Sequence, residues 1–228
     1  MSAPKGAYAY AAVNSRKRCR ALGCTSNRCG IAGFCRKHHR GNTSHGHPFG
    51  RRIEAKEYTY EKKLVEDFLS RHASHEGVQE ALRWLDRWMH QASLHEAVPG
   101  QREMARLAEY RVLPKTMLVE ACSVWLFSRW NERTLPSDER LTFALATAVL
   151  SLMPLEKRYG TRGGKPFYRW VPRRKVAKRD IGSRFRNVLG PLMLNVALGI
   201  EAEREAQQRA VLALHLPFTP ATTTTTKE

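Results

Sequence analysis

Long apolar runs are missing from this 228-residue chain. No stretch reaches the roughly 18 consecutive apolar residues that a membrane-spanning helix needs. The mildly apolar segment near the N-terminus precedes a basic run instead of following one, the wrong order for a secretory signal. The expected location is intracellular, the cytoplasm or nucleoid of a host cell. Cysteines are few and odd in number, five in all, and four of them fall between residues 19 and 35. That pattern in a reducing compartment argues against a disulfide framework. No self-similarity recurs at a period of about 20–50 residues, which sets aside solenoids and propellers. The glycine-rich stretch 160–165 lacks the spacing of a phosphate-cradling loop, and no Ser or Thr follows Lys165.

Acidic residues are scarce in two places. Residues 1–56 carry twelve bases and one acid, a net +11. Residues 157–186 carry the same twelve and one, again +11. The segment between them has twelve bases against fifteen acids, −3, and residues 187–228 carry −1. A total of +18 and a pI near 10.2 imply a polyanionic partner.

The first basic block holds the most informative pattern. Cys19, Cys24, Cys29, Cys35, His38 and His39 lie within twenty-one residues. A tetrahedral zinc site needs four such ligands. Cys19, Cys24, Cys35 and His38 are the favoured set, so Zn2+ is the expected cofactor. Cys35 and His38 are spaced about one helical turn apart, so a short helix after Phe34 presents both to one ion. Gly23 supplies the bend between Cys19 and Cys24. Cys29 competes with Cys24 or stays free, and His39 points to the other side of the helix. Residues 19–52 have few large apolar side chains, so a metal has to stand in for a core.

Residues 19–48 resemble a small zinc-binding module of phage and mobile-element proteins, often found beside HNH-type or homing endonucleases. The resemblance is carried by Cys19-x4-Cys24, Ala32-Gly33-Phe34-Cys35, Cys35-x2-His38 and His45-Gly46-His47-Pro48. It implies a treble-clef-like zinc knuckle, a zinc finger associated with DNA binding. Two features depart from the group: the extra thiol of Cys29, and His47 where an acidic residue often precedes the last proline.

The rest of the chain predicts a mainly α fold. Residues 1–18 are expected to form a flexible basic N-terminus, residues 53–216 a helical domain and residues 217–228 a disordered tail. Tyr60, Leu64, Val65, Phe68 and Leu69 recur at helical spacing. Ser74 is the candidate N-cap of a second helix with Val78, Leu82, Leu85 and Met89 on its stripe, and Trp84 and Trp88 alongside. Pro99 and Pro114 open two more. The run from Leu141 to Met153 is apolar nearly all round and is expected to be the central buried helix. Residues 155–171 predict an extended segment or hairpin. A basic helix follows from Pro172, broken at Gly190-Pro191, and a last helix carries Leu192, Leu194, Val196, Ala197 and Ile200.

On the basic helix, Lys175, Lys178, Arg179, Gly182 and Arg186 share one face, with Val176, Ile181, Phe185, Val188 and Leu189 expected on the core side. Candidate contacts to nucleic acid are Arg16, Lys17, Arg18, Arg36, Lys37, Arg40, Arg51 and Arg52 in the first block. In the second they are Lys165, Tyr168, Arg169, Arg173, Arg174, Lys175, Lys178, Arg179 and Arg186, with Tyr168 or Trp170 stacking on a base. The leading hypothesis is a non-enzymatic zinc-containing nucleic-acid-binding protein of phage or mobile-element type, gripping phosphates through two basic surfaces, with DNA favoured over RNA. An HNH-like endonuclease would draw on His39, His45 and His47, but no acidic residue occurs in the segment before Glu54. A third possibility is an adaptor whose helical domain docks on a polymerase, ribosome or particle.

Overall fold

The structure is a computed structural model that describes residues 5–95, 97–135, 137–162, 164–171 and 173–215. The expected tail at 217–228 and the helix start at Pro172 lie outside the described residues. Helices dominate, and one small antiparallel hairpin interrupts them. In chain order the elements are α1 (Lys5–Asn14), α2 (Arg36–His45), α3 (Thr59–Arg71), α4 (Glu76–Ala92), α5 (Pro99–Glu109), α6 (Pro114–Trp130), α7 (Asp138–Leu150), β1 (Glu156–Arg162), β2 (Lys165–Val171), α8 (Lys175–Arg184) and α9 (Gly190–His215).

Local chemistry explains the starts of four helices, α4 to α7. Pro99 and Pro114 occupy first-turn positions of α5 and α6, where a missing N–H costs nothing. Ser137 caps α7, its Oγ accepting from the Arg140 N–H. The cap of α4 is His75, one residue past the expected Ser74; its Nδ1 accepts from the Gly77 N–H at 3.2 Å.

The core is built around two helices. α6 buries ten consecutive or near-consecutive residues from Met117 to Phe127 and packs against α3, α4, α7 and α9. α7 packs between α6 and α8. The expected single central helix is therefore a pair, because α6 is walled in on more sides than α7. Around them α4 contributes Val78, Leu85, Trp88 and Met89, each large apolar side chain stabilising by about 1.5–3 kcal/mol when fully buried. Trp84 and Trp88 contact each other and Phe185 in this core. Cys122 is buried in α6, and burial pushes its thiol up to about 12.

Two expectations for the second basic block change. The buried side of α8 is Ala177, Ile181 and Gly182, continuing into Phe185 and Leu189, whereas Val176 and Val188 are exposed. Gly182 leaves the basic face because α8 crosses α7 there at backbone contact: a Cβ would lie 1.9 Å from the Thr142 carbonyl oxygen. The break at Gly190-Pro191 also does not occur. A π-helical turn, Phe185–Leu189, runs straight into α9. The wider turn ahead of Pro191 absorbs the missing N–H that would otherwise end the helix.

Candidate metal centre

The N-terminal segment folds around sulfur. A small apolar cluster of Cys19, Ala21 and Cys35, flanked by Cys24 and Phe34, is its own interior, separate from the main core. An isolated antiparallel bridge pairs Arg18 with Asn27, and further backbone bonds run from Cys19 N–H to Ser26 and from Arg20 N–H to Gly33. These bring the loop holding Cys19 and Cys24 over the start of α2. Gly23 turns that loop with φ 72, a value an L side chain rarely adopts. Cys35 is the N-cap residue of α2 and His38 lies in its first turn, as the spacing predicts.

Four donor atoms converge. The ligand atoms of Cys19, Cys24, Cys35 and His38 all lie within 4.8 Å of one another. His38 Nδ1 is 3.4 Å from both Cys19 Sγ and Cys35 Sγ, and Cys24 Sγ is 3.9 Å from Cys35 Sγ. A tetrahedron with metal–sulfur bonds of about 2.3 Å and a metal–nitrogen bond of about 2.0 Å has S–S edges near ~3.8 Å and S–N edges near ~3.5 Å. These three spacings lie close to those edges and the others stay within 4.8 Å, so the donor set fits a tetrahedral ion in both chemistry and size. Three of the four residues are buried and Cys24 is half-buried.

The surroundings favour a thiolate at Cys19. The backbone N–H groups of Cys35 and Ala21 point at Cys19 Sγ at 3.2 and 3.5 Å. Burial raises the Cys19 pKa, but these donors, with His38 and Cys24, outweigh it and bring it down to about 6. At Cys35 a hydrogen bond from the His38 backbone lowers the value, yet burial and the neighbouring Cys19 and Cys24 sulfurs leave it raised. A cation among the sulfurs removes that conflict.

Cys29 stands outside the donor group. Its backbone bonds Phe34 and Ala32 in the turn before α2. His39 is exposed on the far side of α2. His47 contacts Phe49, whose ring meets the His38 ring edge-on at 4.6 Å. His45 lies elsewhere, on the side of α2 facing α7 and α8. Among the described residues, His39, His45 and His47 form no second group able to hold an ion.

One structural residue was invisible in the sequence. Within the expected flexible N-terminus, residues 5–14 form α1, which ends at a buried Asn14. Its Nδ2 donates to the carbonyls of Gly30 and Ala32, both at 2.8 Å, and its Oδ1 accepts from Arg28. That clamp ties the start of the chain to the loop before Cys35. No local signal marks such an asparagine, since its partners lie 16 and 18 residues away.

The basic residues fall into two kinds. In the first block, Arg16, Lys17, Arg18, Arg36, Lys37, Arg40 and Arg52 are exposed, and among the described residues none has a carboxylate partner. Arg51 is the exception, paired with Glu57. In the second block several cations are already committed. Arg179 pairs with Glu139, Arg186 with Asp138 and Arg173 with Glu103. Lys165 and Arg174 are exposed, and Lys175 sits over the Phe143 ring at 5.8 Å. The hairpin pairs Glu156 with Val171 through Arg162 with Lys165 and presents Tyr159, Phe167 and Tyr168 to solvent. Tyr159 and Tyr168 face each other across the strands, and Lys157 lies over the Tyr168 ring. The side chains of Arg169 and Trp170 lie outside the described residues.

Fold and site together define a mainly helical protein with a Cys3His cluster able to hold a metal ion. No protein-family model, curated protein or solved structure matches the chain, so its own geometry carries the functional argument. No helix among the described residues is long and apolar enough to cross a membrane.

Proposed function

We propose that this is a zinc-dependent nucleic-acid-binding protein, with duplex DNA as the first partner to test. The observation that carries the proposal is the contrast in charge pairing. On the helical body many cations meet acids, among them Arg71 with Glu203, Arg129 with Glu201 and Lys62 with Glu120. Around the metal cluster Arg16, Lys17, Arg18, Arg36, Lys37 and Arg40 are exposed, and among the described residues none has a carboxylate partner. Unpaired surface cations repel one another and gain nothing for the fold, whereas a phosphate backbone offsets them and releases counterions. α2 places Arg36, Lys37 and Arg40 on a scaffold that the metal would hold rigid. The hairpin adds exposed aromatic rings among lysines, a surface suited to stacking on bases. The likeness of residues 19–48 to a phage zinc knuckle agrees with this assignment.

The test is a mobility-shift titration of zinc-loaded protein with labelled duplex DNA. It is run with and without magnesium and with unlabelled RNA as competitor. The expected result is an intact retarded band that weakens steeply with salt. Replacing Arg36, Lys37 and Arg40 by Ala should reduce the salt slope by up to about three units. Failure of both DNA and RNA to bind near physiological salt would overturn the proposal. Magnesium-dependent fragments would turn it toward a nuclease.

A further inference from the structure

The two basic blocks, far apart in sequence, meet in one cleft. His45 and Arg52 line it from the metal-module side; Thr147, Ser151, Arg173 and Lys178 line it from α7, α8 and the approach to α8. Its volume is about 250 Å³, and no carboxylate lines it. Lys178 Nζ donates to the Ser44 carbonyl at 3.2 Å and has no carboxylate partner among the described residues. Arg52 also has none. Arg173 shares Glu103 with Arg106, one acid for two guanidiniums, and its buried Nε lacks a hydrogen-bond partner.

This gathering works against the fold. Burial first, then the nearby Arg173 and Arg52, hold the Lys178 ammonium below its ordinary range. His45 is lowered in the same way by burial and by Lys178, Arg140 and Arg52. Like charges drawn together in a partly desolvated space cost stability unless an anion joins them. Glu103 reaches Arg173 alone among these cations, and no residue lining the cleft supplies another anion.

We propose that this cleft is a binding site for a phosphoryl group. Its donors suit a tetrahedral oxyanion carrying one or two charges. Lys178 offers a point charge, Arg52 a planar fork, Thr147 and Ser151 hydroxyls, and His45 a ring nitrogen. Insofar as the protein binds nucleic acid as proposed above, the group is one backbone phosphodiester; free phosphate is the other source of the same chemistry.

The experiment uses the full, zinc-loaded chain. Inorganic phosphate is titrated calorimetrically at constant ionic strength, and labelled duplex DNA is titrated in parallel. Lys178→Met is expected to weaken phosphate binding at least about tenfold, the scale of one charge-assisted bond. Arg52→Met, at an exposed position, tests the same site without disturbing the core. Lys63→Met, exposed on α3 and outside the cleft, should bind phosphate as the native chain does. Absence of phosphate binding in the millimolar range, or unchanged binding in both cleft variants, would overturn the site even if DNA still binds. Phosphate bound without DNA would sustain the site and overturn duplex DNA as the partner. Parallel loss of phosphate and DNA affinity in the cleft variants identifies the phosphodiester. Loss of phosphate alone identifies the free anion.

Discussion

Lys178 donates from Nζ to the backbone carbonyl of Ser44, 134 residues earlier in the chain. This one bond fastens the metal module to the helical body, next to the contact of α2 with α7. It also fixes where the two basic blocks converge, so the stability of the metal module and the shape of the cationic cleft are linked.

Metal content should follow the four-atom cluster. Purified native protein is expected to carry close to one zinc per chain, and Cys35→Ser to lose it. Cys29→Ser should retain it, because Cys29 lies outside the donor group. Elemental analysis after gel filtration reads all three. Stripping the ion should unfold residues 19–52 while α3 to α9 keep their helical circular dichroism, because the main core contains no residue of the cluster. Full metal retention in Cys35→Ser would refute the ligand assignment.

Gly182→Ala tests the crossing of α7 and α8. The added methyl would meet the Thr142 carbonyl, and backbone cannot swing aside as a side chain can. A loss of about 1–3 kcal/mol is expected in denaturant melts. A neutral result would mean that the helices pack less closely than described.

Glu120 is a buried acid in the heart of α6, bonded to Tyr58 Oη at 2.9 Å and to Lys62. Burial of the phenol first, then the Glu120 carboxylate, raise the Tyr58 pKa, so the phenol stays protonated and donates. Glu120→Gln should cost about 1–3 kcal/mol by removing the charge-assisted bonds. Glu120→Gln with Lys62→Met should recover part of that loss, since the lysine no longer faces a neutral partner. The double-mutant cycle gives the coupling directly.

Acid stability should report on Glu57. Hydrogen bonds from Arg51 first, then from the Glu54 backbone, lower its pKa from the ordinary 4.5 to about 2. A carboxylate with a depressed folded-state pKa stabilises fully above its unfolded value and loses that contribution as pH falls through the folded one. The native chain should therefore lose stability between about pH 4.5 and about pH 2 relative to Glu57→Gln. Because the Arg51 side chain is 58% exposed, the difference at neutral pH should be no more than about 1 kcal/mol. Parallel acid titrations of the two chains would disprove the pairing.

Tyr168→Ala should weaken binding of single-stranded oligonucleotides by up to about 1–3 kcal/mol, the worth of one stacked base, and duplex binding by less. Tyr168→Phe should bind as the native chain does, because stacking needs the ring and not the hydroxyl. Unchanged binding in Tyr168→Ala would place the tyrosine outside the interface, and equal losses in the two variants would assign the contact to the hydroxyl instead of stacking.

Much of the helical body is legible from periodicity and punctuation. Leu85 and Met89 fall on one stripe, and Pro99 and Pro114 mark helix starts, because both signals act within a turn or two of chain. His75 displaced Ser74 as a cap by one residue, within the reach of local competition. The Cys35–His38 pair was readable for the same reason: one turn of α2 sets their separation. Asn14, by contrast, acts through carbonyls across a loop, and no periodicity encodes that. The π-turn at Phe185 depended on α8 and α9 both packing on the body, which kept the chain helical through Pro191.

The sequence by itself determined a mainly helical chain, a cysteine–histidine cluster with metal-site spacing, and two blocks of positive charge. All three depend on residue type and short spacing. The tertiary structure decided which thiols meet His38, which cations are spent on Asp138, Glu139 and Glu103, and that Arg52 and Lys178 share a cleft. Those outcomes depend on distances between residues tens to more than a hundred positions apart, which packing of the helices sets and local sequence does not.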